Sequence, residues 1–157
     1  MSTVIVKGEK KTNVREGLMR VVTGSIEFSS AGDADVVRIT DEVRETLART
    51  GLKDGTLTVF APGATAAVTT IEFEPGVVQD LQMVLDEIAA PARRWQHNVN
   101  NHDGNGHSHV RAAMLGPSLT IPFVDGRLTL GRWQEIVFVD LDERPRDRGI
   151  VAQVMGV

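Results

Sequence analysis

The four histidines of the chain lie within thirteen consecutive positions, at residues 97, 102, 107 and 109. Asp103 and several asparagines share this stretch, which reads HNVNNHDGNGHSH. A neutral imidazole nitrogen binds zinc and other transition metals, and it also accepts or donates a proton near physiological pH. The cluster therefore predicts a metal site formed by His97, His107 and His109, or a site at which His97 and His109 transfer a proton.

The spacing of these histidines leaves a second interpretation open. His107 and His109 share a face on a strand but point a right angle or more apart on a helix. Glycine and asparagine suit the tight turns of a surface loop, which can expose histidines that have no function. His102 fits that interpretation best.

Acidic side chains flank Pro75, where a helix is predicted to begin. Glu74 is expected to complement the dipole at the helix N-terminus. Glu72 ends an apolar segment, and a carboxylate there can act as a base or as a Mg²⁺ ligand. A divalent metal, either zinc or magnesium, is therefore the candidate cofactor.

Alternating arginines precede the last predicted strand, at Arg144, Arg146 and Arg148. Alternation places guanidinium groups on one side of an extended segment, and such a row suits a phosphate or pyrophosphate. The alternative is an exposed hairpin whose arginines pair with neighbouring acids, namely Asp142, Glu143 and Asp147.

Trp133 and Gln134 stand at the entry to an apolar strand. Core packing is the expected role of the indole, because aromatic side chains dominate protein cores. Gln134 is a candidate to present its amide to a ligand.

The composition limits the functions that these residues can have. A chain of 157 residues with 41% hydrophobic content can bury one core and predicts one domain. The net charge of -4 argues against nucleic acid as a partner, and the lack of cysteine excludes disulfides and thiolate chemistry. No signal peptide or membrane-spanning run is visible, so a cytoplasmic protein without a membrane partner is expected.

Short strands and a few helices must position the candidate residues. SIEFSS alternates like a half-buried strand, and the spacing of Val37, Ile39, Val43 and Leu47 predicts a helix capped by Thr40 or Asp41 and closed by Gly51. A second helix is predicted from Pro75 to a stop before Pro91, and a third over SHVRAAML. Strands are predicted on both sides of the Pro62-Gly63 pair and through most of the C-terminal part, while residues 98–109 read as a loop. This irregular order favours a single-domain α+β fold with mixed or antiparallel sheets.

Several uncommon motifs occur in a continuous order. They are Ser108-His109 opening a helix that ends in Met114-Leu115-Gly116, the turn Asp125-Gly126, the strand GRWQ at 131–134, and the upstream run TAAVTTIEFEPGVVQDL. In this order the chain resembles the secondary thiamine-phosphate synthase (YjbQ-like) family. The resemblance covers residues 25–157, and residues 1–24 lie outside it as an arm or an added strand.

The resemblance implies an α+β homo-oligomer, a trimer, with the histidine segments near a subunit boundary. It also implies that His97, His109 and Glu72 match the functional positions of the family. Gly63 and Ala64 stand where the family has a histidine and a threonine, and Ile71 stands where an asparagine is usual.

Two functions follow as expectations. The first is the activity of the named family, in which a pyrimidine pyrophosphate is joined to a thiazole phosphate with loss of pyrophosphate. Its small phosphorylated substrates would be held by the arginines and Gln134, while His97, His109 and Glu72 perform the chemistry. The second is a noncatalytic oligomer that binds a metal or a phosphorylated ligand and has lost the motif histidine to Gly63.

Overall fold

The computed structural model of the chain describes residues 14–157. The strands are β1 (Arg20–Ser30), β2 (Asp35–Arg38), β3 (Gly55–Phe60), β4 (Ala66–Ile71), β5 (Ser118–Val124), β6 (Arg127–Leu128), β7 (Glu135–Asp140) and β8 (Arg146–Gly156). The helices are α1 (Thr40–Thr50), α2 (Pro75–Ile88), α3 (Gln96–Asn101) and α4 (Gly106–Leu115). The run of β-branched residues at 3–6, predicted as an added strand, lies outside the described residues.

The strands form two sheets with antiparallel pairing throughout. A five-stranded sheet has the order β1-β8-β3-β5-β6, and a three-stranded sheet has the order β2-β7-β4. The prediction of a single-domain α+β fold with antiparallel sheets is confirmed.

Two apolar clusters stabilise this arrangement. The larger one lies between the two sheets and α1, where Leu57, Phe138 and Leu47 are among its buried members. The smaller one covers the opposite face of the three-stranded sheet with α2 and α4, through Leu85 and Ala112. β7 is consequently buried on both faces, and its sequence EIVFVD is apolar without alternation, as expected for such a strand.

The first helix starts later than its apolar spacing predicted. Val37 belongs to β2, and Ile39 occupies the position before α1 without a side-chain cap. The predicted cap by Thr40 or Asp41 is therefore wrong. The Thr40 hydroxyl instead accepts the Ile136 N–H at 2.8 Å and so joins α1 to β7. Gly51 closes the helix with φ of 72°, as predicted.

The start of α2 agrees with the sequence. Pro75 is its first residue, and the Glu74 carboxylate accepts the backbone N–H groups of Gly76 and Val77 at 2.9 and 2.5 Å. Glu74 is thus a capping residue, which satisfies amides that the helix itself leaves unpaired.

The predicted loop at 98–109 is mostly helical, which corrects the sequence interpretation. α3 and α4 occupy most of it, and His102 ends α3 in the left-handed region with φ of 57°. α3 is six residues long and buries none of them, so no apolar periodicity marked it in the sequence.

Trp133 is not a core residue. It is 62% exposed in the turn before β7, and the Arg132 guanidinium carbon lies 4.8 Å from the centroid of its ring. The apolar residues that follow it, Ile136 to Val139, are the ones that β7 buries.

The outer face of the five-stranded sheet carries large exposed apolar side chains. Val21, Phe60, Val124 and Met155 are 38 to 58% exposed on it. None of the helices in residues 14–157 is long and apolar enough to span a lipid bilayer.

Candidate functional site

The site is a contact between two histidines that lie on neighbouring helices. His97 is on α3 and His109 is on α4, and their ring centroids are 4.4 Å apart with planes inclined at 56°. The structure therefore brings together two of the three histidines predicted to act jointly.

A backbone carbonyl fixes the ring of His109. Its Nδ1 lies 3.1 Å from the carbonyl oxygen of Ala64, in the loop between β3 and β4. A carbonyl can only accept a hydrogen bond, so Nδ1 carries the hydrogen and Nε2 carries the lone pair. None of the described residues hydrogen-bonds this Nε2 atom, which leaves it available to a ligand.

The two nitrogens of His97 have partners of opposite kind. The Asn101 amide donates to Nδ1 at 3.0 Å, one helical turn along α3. Nε2 lies 3.1 Å from the Asp103 carboxylate, to which it donates. His97 thus holds its hydrogen on Nε2 toward a carboxylate, and both of its ring nitrogens are occupied by neighbouring groups. The pair combines an imidazole nitrogen without a partner in residues 14–157, Nε2 of His109, with a second ring whose orientation Asn101 and Asp103 fix.

An open cleft of about 300 Å³ borders His109. Gly63 in its wall has φ of 145°, a conformation that side-chain-bearing residues rarely adopt, and a Cβ added there would meet nothing within 4 Å. The resemblance leads one to expect a histidine at position 63, and the space that its side chain would enter is open here. The cleft is lined by small residues beside the imidazole: Gly63, Ala64, Ala66, Ala112, Ala113 and Pro117.

His107 is separated from this pair. Because it lies two positions before His109 on a helix, it points to the other side of α4, where it is 3% exposed. Its Nδ1 is buried without a hydrogen-bond partner among the described residues. The structure does not bring His107 to the shared site that the sequence predicted.

The residues present do not fit a closed zinc site. A structural zinc takes four nitrogen, sulfur or oxygen ligands. In residues 14–157 no group of three or more His, Asp or Glu side chains is arranged to hold one ion. The chemistry available at the site is that of the two imidazoles and Asp103.

The arginine segment meets buried carboxylates next to the loop that holds His109. Arg148 donates to both oxygens of Asp140, at 2.8 and 2.5 Å, and Arg146 Nε lies 2.7 Å from Asp142. The hydrogen bonds that Arg148 donates to Asp140 raise the pKa of Arg148 above its usual value. Burial opposes ionisation of Asp142, but the Glu143 N–H and the two arginines outweigh it, so the pKa of Asp142 is lowered.

Glu72 and Gln134 lie at the other end of β4. β4 pairs with β7 so that Ile71 opposes Glu135, and Gln134 donates to the Thr70 hydroxyl at 3.3 Å. Along the strand, Glu72 is roughly 20 Å from the end that faces His109. The structure therefore does not bring Glu72 and Gln134 to the histidine pair.

Three residues that support the site were given no individual role from the sequence. Asn101 is placed by α3, and the Ala64 carbonyl by the β3–β4 loop. Arg111 on α4 is 1% exposed and anchors that helix to the end of α2. The i, i+4 spacing of His97 and Asn101 was the one available signal, and it has meaning only once α3 is known to be helical.

Burial of His107 predicts a pH-dependent loss of stability. Burial and the nearby Arg111 lower the pKa of His107, and they outweigh the opposing effects of Glu143, the Gly104 carbonyl and Asp33. The folded state then holds His107 neutral, while the unfolded chain takes up a proton near pH 6.5. Stability from this residue is present above about pH 6.5 and is lost as the pH falls toward the lower folded pKa.

Urea unfolding at several pH values between about 7.5 and 5 measures this effect. This pH range lies above the one in which carboxylates titrate. The decline in unfolding free energy should be shallower in His107→Gln than in the wild type. His102→Asn is the matched control, because His102 is exposed and asparagine tolerates its left-handed backbone. Equal slopes in all three proteins would contradict the expected titration.

Comparison with known proteins gives a consistent family. A family model described as UPF0047 protein YjbQ-like matches residues 24–157. A UPF0047 protein of Methanothermobacter thermautotrophicus is 33% identical over 138 residues, which cover 88% of this chain and 94% of that protein. UPF0047 protein YugU of Bacillus subtilis is 33% identical over 134 residues, covering 84% of this chain and 98% of that one.

Solved structures agree in fold. A YbjQ-like protein of unknown function from Sulfolobus solfataricus P2 superimposes with a TM-score of 0.85 at 34% identity, covering 88% of this chain and 99% of that chain. A hypothetical protein from Aeropyrum pernix K1 gives a TM-score of 0.81 at 36% identity, with 87% and 99% covered.

Proposed function

Because the chain belongs to the YjbQ-like UPF0047 family, we propose that its histidine pair acts on a small phosphorylated molecule, in a reaction of the thiamine-phosphate synthase type. In that reaction a thiazole phosphate nitrogen forms a bond to the methylene carbon of a pyrimidine pyrophosphate. The bond between this carbon and the pyrophosphate oxygen breaks, and pyrophosphate leaves with the electron pair.

The observation that carries the proposal is the contact between the rings of His97 and His109, each of which is held by hydrogen bonds to other groups. The hydrogen bond from His109 to the Ala64 carbonyl leaves the lone pair of the ring on Nε2, and Asp103 and Asn101 hold the ring of His97 in place. Once His109 is protonated, Nε2–H can donate to a leaving oxygen and stabilise the charge that develops there.

Arginine supplies the charge that a departing pyrophosphate requires. Arg146 uses Nε for Asp142 and is 49% exposed, and no described residue pairs with its two terminal nitrogens. Because Thr65 lies 3.4 Å from Asp142 and is adjacent to Ala64, this guanidinium lies on the same side of the molecule as His109. The proposed roles are therefore phosphate binding by Arg146 and by the exposed Arg144 two residues before it, and proton donation by His109.

The alternative function is a noncatalytic protein that binds a phosphorylated ligand. The conformation of Gly63 favours it, since a loop with φ of 145° is adapted to glycine and lacks the side chain of the resembling motif. This protein would bind pyrophosphate or a thiazole phosphate at the same arginine and histidine without turnover.

Product formation from the pyrimidine pyrophosphate and the thiazole phosphate, with Mg²⁺ in the buffer, tests the proposal. We expect His109→Ala to lower kcat by about 100-fold or more, the size of a lost general acid. His102→Asn should keep the wild-type rate. Product formation that is equal in His109→Ala and the wild type would refute the catalytic role. Binding of the substrates by calorimetry without any product would select the alternative.

We further propose that the protein is a homo-oligomer, a trimer, assembled through the outer face of the five-stranded sheet. The exposed Val21, Phe60, Val124 and Met155 on that face support this assembly. Sedimentation equilibrium of the wild type and of Phe60→Glu tests it, since a monomeric mass in the wild type would reject the trimer.

A further inference from the structure

A network of buried charge connects both sheets to the loop that holds His109. Asp140 is fully buried at the end of β7 and accepts from Arg148, from the Ser30 hydroxyl on β1 and from the Asp142 N–H at 3.1 Å. Asp142 follows in the next loop and is 8% exposed at its side chain. The members therefore come from β1, β7 and β8.

Stability alone is a weak reason for such a network. Removing charges from water costs several kcal/mol per ion, and apolar residues of the same volume often stabilise a fold as well or better. A network of this kind does, however, hold its members in one geometry. What it holds in place is therefore informative.

The network reaches the candidate site through Thr65. The Thr65 hydroxyl lies 3.4 Å from the Asp142 carboxylate and 3.5 Å from Arg148 Nη2, and the Thr65 carbonyl accepts the Leu141 N–H at 2.9 Å. The carbonyl of Ala64 belongs to the peptide unit that Ala64 shares with Thr65. The anchors on Thr65 thus restrict the direction of the oxygen to which His109 donates.

We propose that Asp142 and Thr65 are positioning residues that hold His109 in the tautomer with a free Nε2. They act through the Ala64 carbonyl and do not contact the imidazole themselves. With the carbonyl in place, Nδ1 must carry the hydrogen, whereas a rotated carbonyl would let the hydrogen move to Nε2 and would remove the lone pair from the ligand side. The functional meaning of this arrangement rests on the proposed role of His109, but the tautomer itself does not.

The tautomer of His109 is the quantity to measure, by long-range ¹H–¹⁵N correlation of the ring nitrogens at about pH 8.5, where imidazoles are neutral. The wild type should show one tautomer with the hydrogen on Nδ1. In Thr65→Val, which keeps the shape and removes the hydroxyl, the ratio of the Nδ1–H to the Nε2–H form should fall about tenfold, the equivalent of one lost hydrogen bond. Asp142→Asn should change the ratio in the same direction, and Thr65→Ser should retain it.

Ser29→Ala is the control for a general effect on this end of the sheets. Ser29 donates to Asp147 at 2.8 Å on the same pair of strands but outside the network, so its loss should leave the tautomer unchanged. A Thr65→Val protein that unfolds at a lower temperature but keeps the wild-type tautomer would overturn the proposal and leave a structural role only. If Thr65→Val does not fold, Asp142→Asn decides by the same measurement. Because no substrate is present, a failed activity assay does not affect this result.

Discussion

Replacement of Arg111 by methionine is expected to lower the free energy of unfolding by about 3 kcal/mol. The Arg111 side chain is buried on α4, and its Nε and Nη2 donate to the Ala89 carbonyl at 3.0 and 2.7 Å, directly after the last residue of α2. Methionine fills much of the volume but leaves this carbonyl buried without its donors. It also removes a positive charge from the negative end of the α2 dipole.

Urea unfolding with a common slope measures the change, and two further variants locate its cause. Asp86 also pairs with Arg111, at 2.7 Å, but its side chain is 63% exposed, so Asp86→Ala should cost much less than Arg111→Met. Arg49→Ala is the matched surface control, since Arg49 pairs with Glu45 on α1 and is 75% exposed. A loss in Arg111→Met no larger than in Arg49→Ala would show that the buried guanidinium does not support the fold.

The Arg111 variant bears on the site as well. α2 leads to α3, which carries His97, and α4 carries His109, so Arg111 connects the ends of the two segments that bring the imidazoles together. We therefore expect the contact between the two rings to loosen in Arg111→Met even where the protein stays folded. Chemical-shift changes at both histidine rings in the folded variant would report this loosening.

The second large effect is expected at the buried pair formed by Asp140 and Arg148. Asp140→Leu or Arg148→Met alone should destabilise by about 3 to 5 kcal/mol, because Asp140 loses its charged partner and Arg148 keeps, among the described residues, only the more distant Asp142, at 3.5 Å. The double variant removes both charges and should lose less than the sum of the single variants, by about 2 kcal/mol or more.

A double-mutant cycle by urea unfolding gives the coupling energy directly. The matched surface cycle uses Arg49 and Glu45. Their coupling energy should be favourable by no more than about 0.5 kcal/mol. Additive losses at Asp140 and Arg148 would contradict the buried pair. A double variant that folds as stably as the wild type would agree with the view that the network is kept for geometry.

Much of the fold followed from local patterns. Glu74, Pro75 and the stop before Pro91 predicted α2 because capping groups and proline act on the backbone within a few residues. The alternation in SIEFSS indicated a half-buried strand, and β1 has that alternating burial. The errors occurred where tertiary contacts override such patterns, as at Trp133, whose size suggested the core although the turn before β7 turns it outward.

The sequence predicted residues of the candidate site but not their arrangement. The clustering of histidines pointed to His97 and His109, and the resemblance to the YjbQ-like family supported the same residues. The sequence also grouped Glu72 with them, although β4 separates Glu72 from the pair by its own length. Distance along the chain does not tell which end of a strand a residue faces once the strands pair.

Residue types, the single α+β domain and the histidine cluster were therefore determined by the sequence itself, because they depend on composition and on interactions between near neighbours. Only the tertiary structure decided which groups meet. It places Ala64 against His109, Asp103 against His97, and Asp140 against Arg148, and it turns His107 into the interior. The physical reason is that hydrogen bonds and burial depend on the three-dimensional packing of the sheets and helices, which no local pattern encodes.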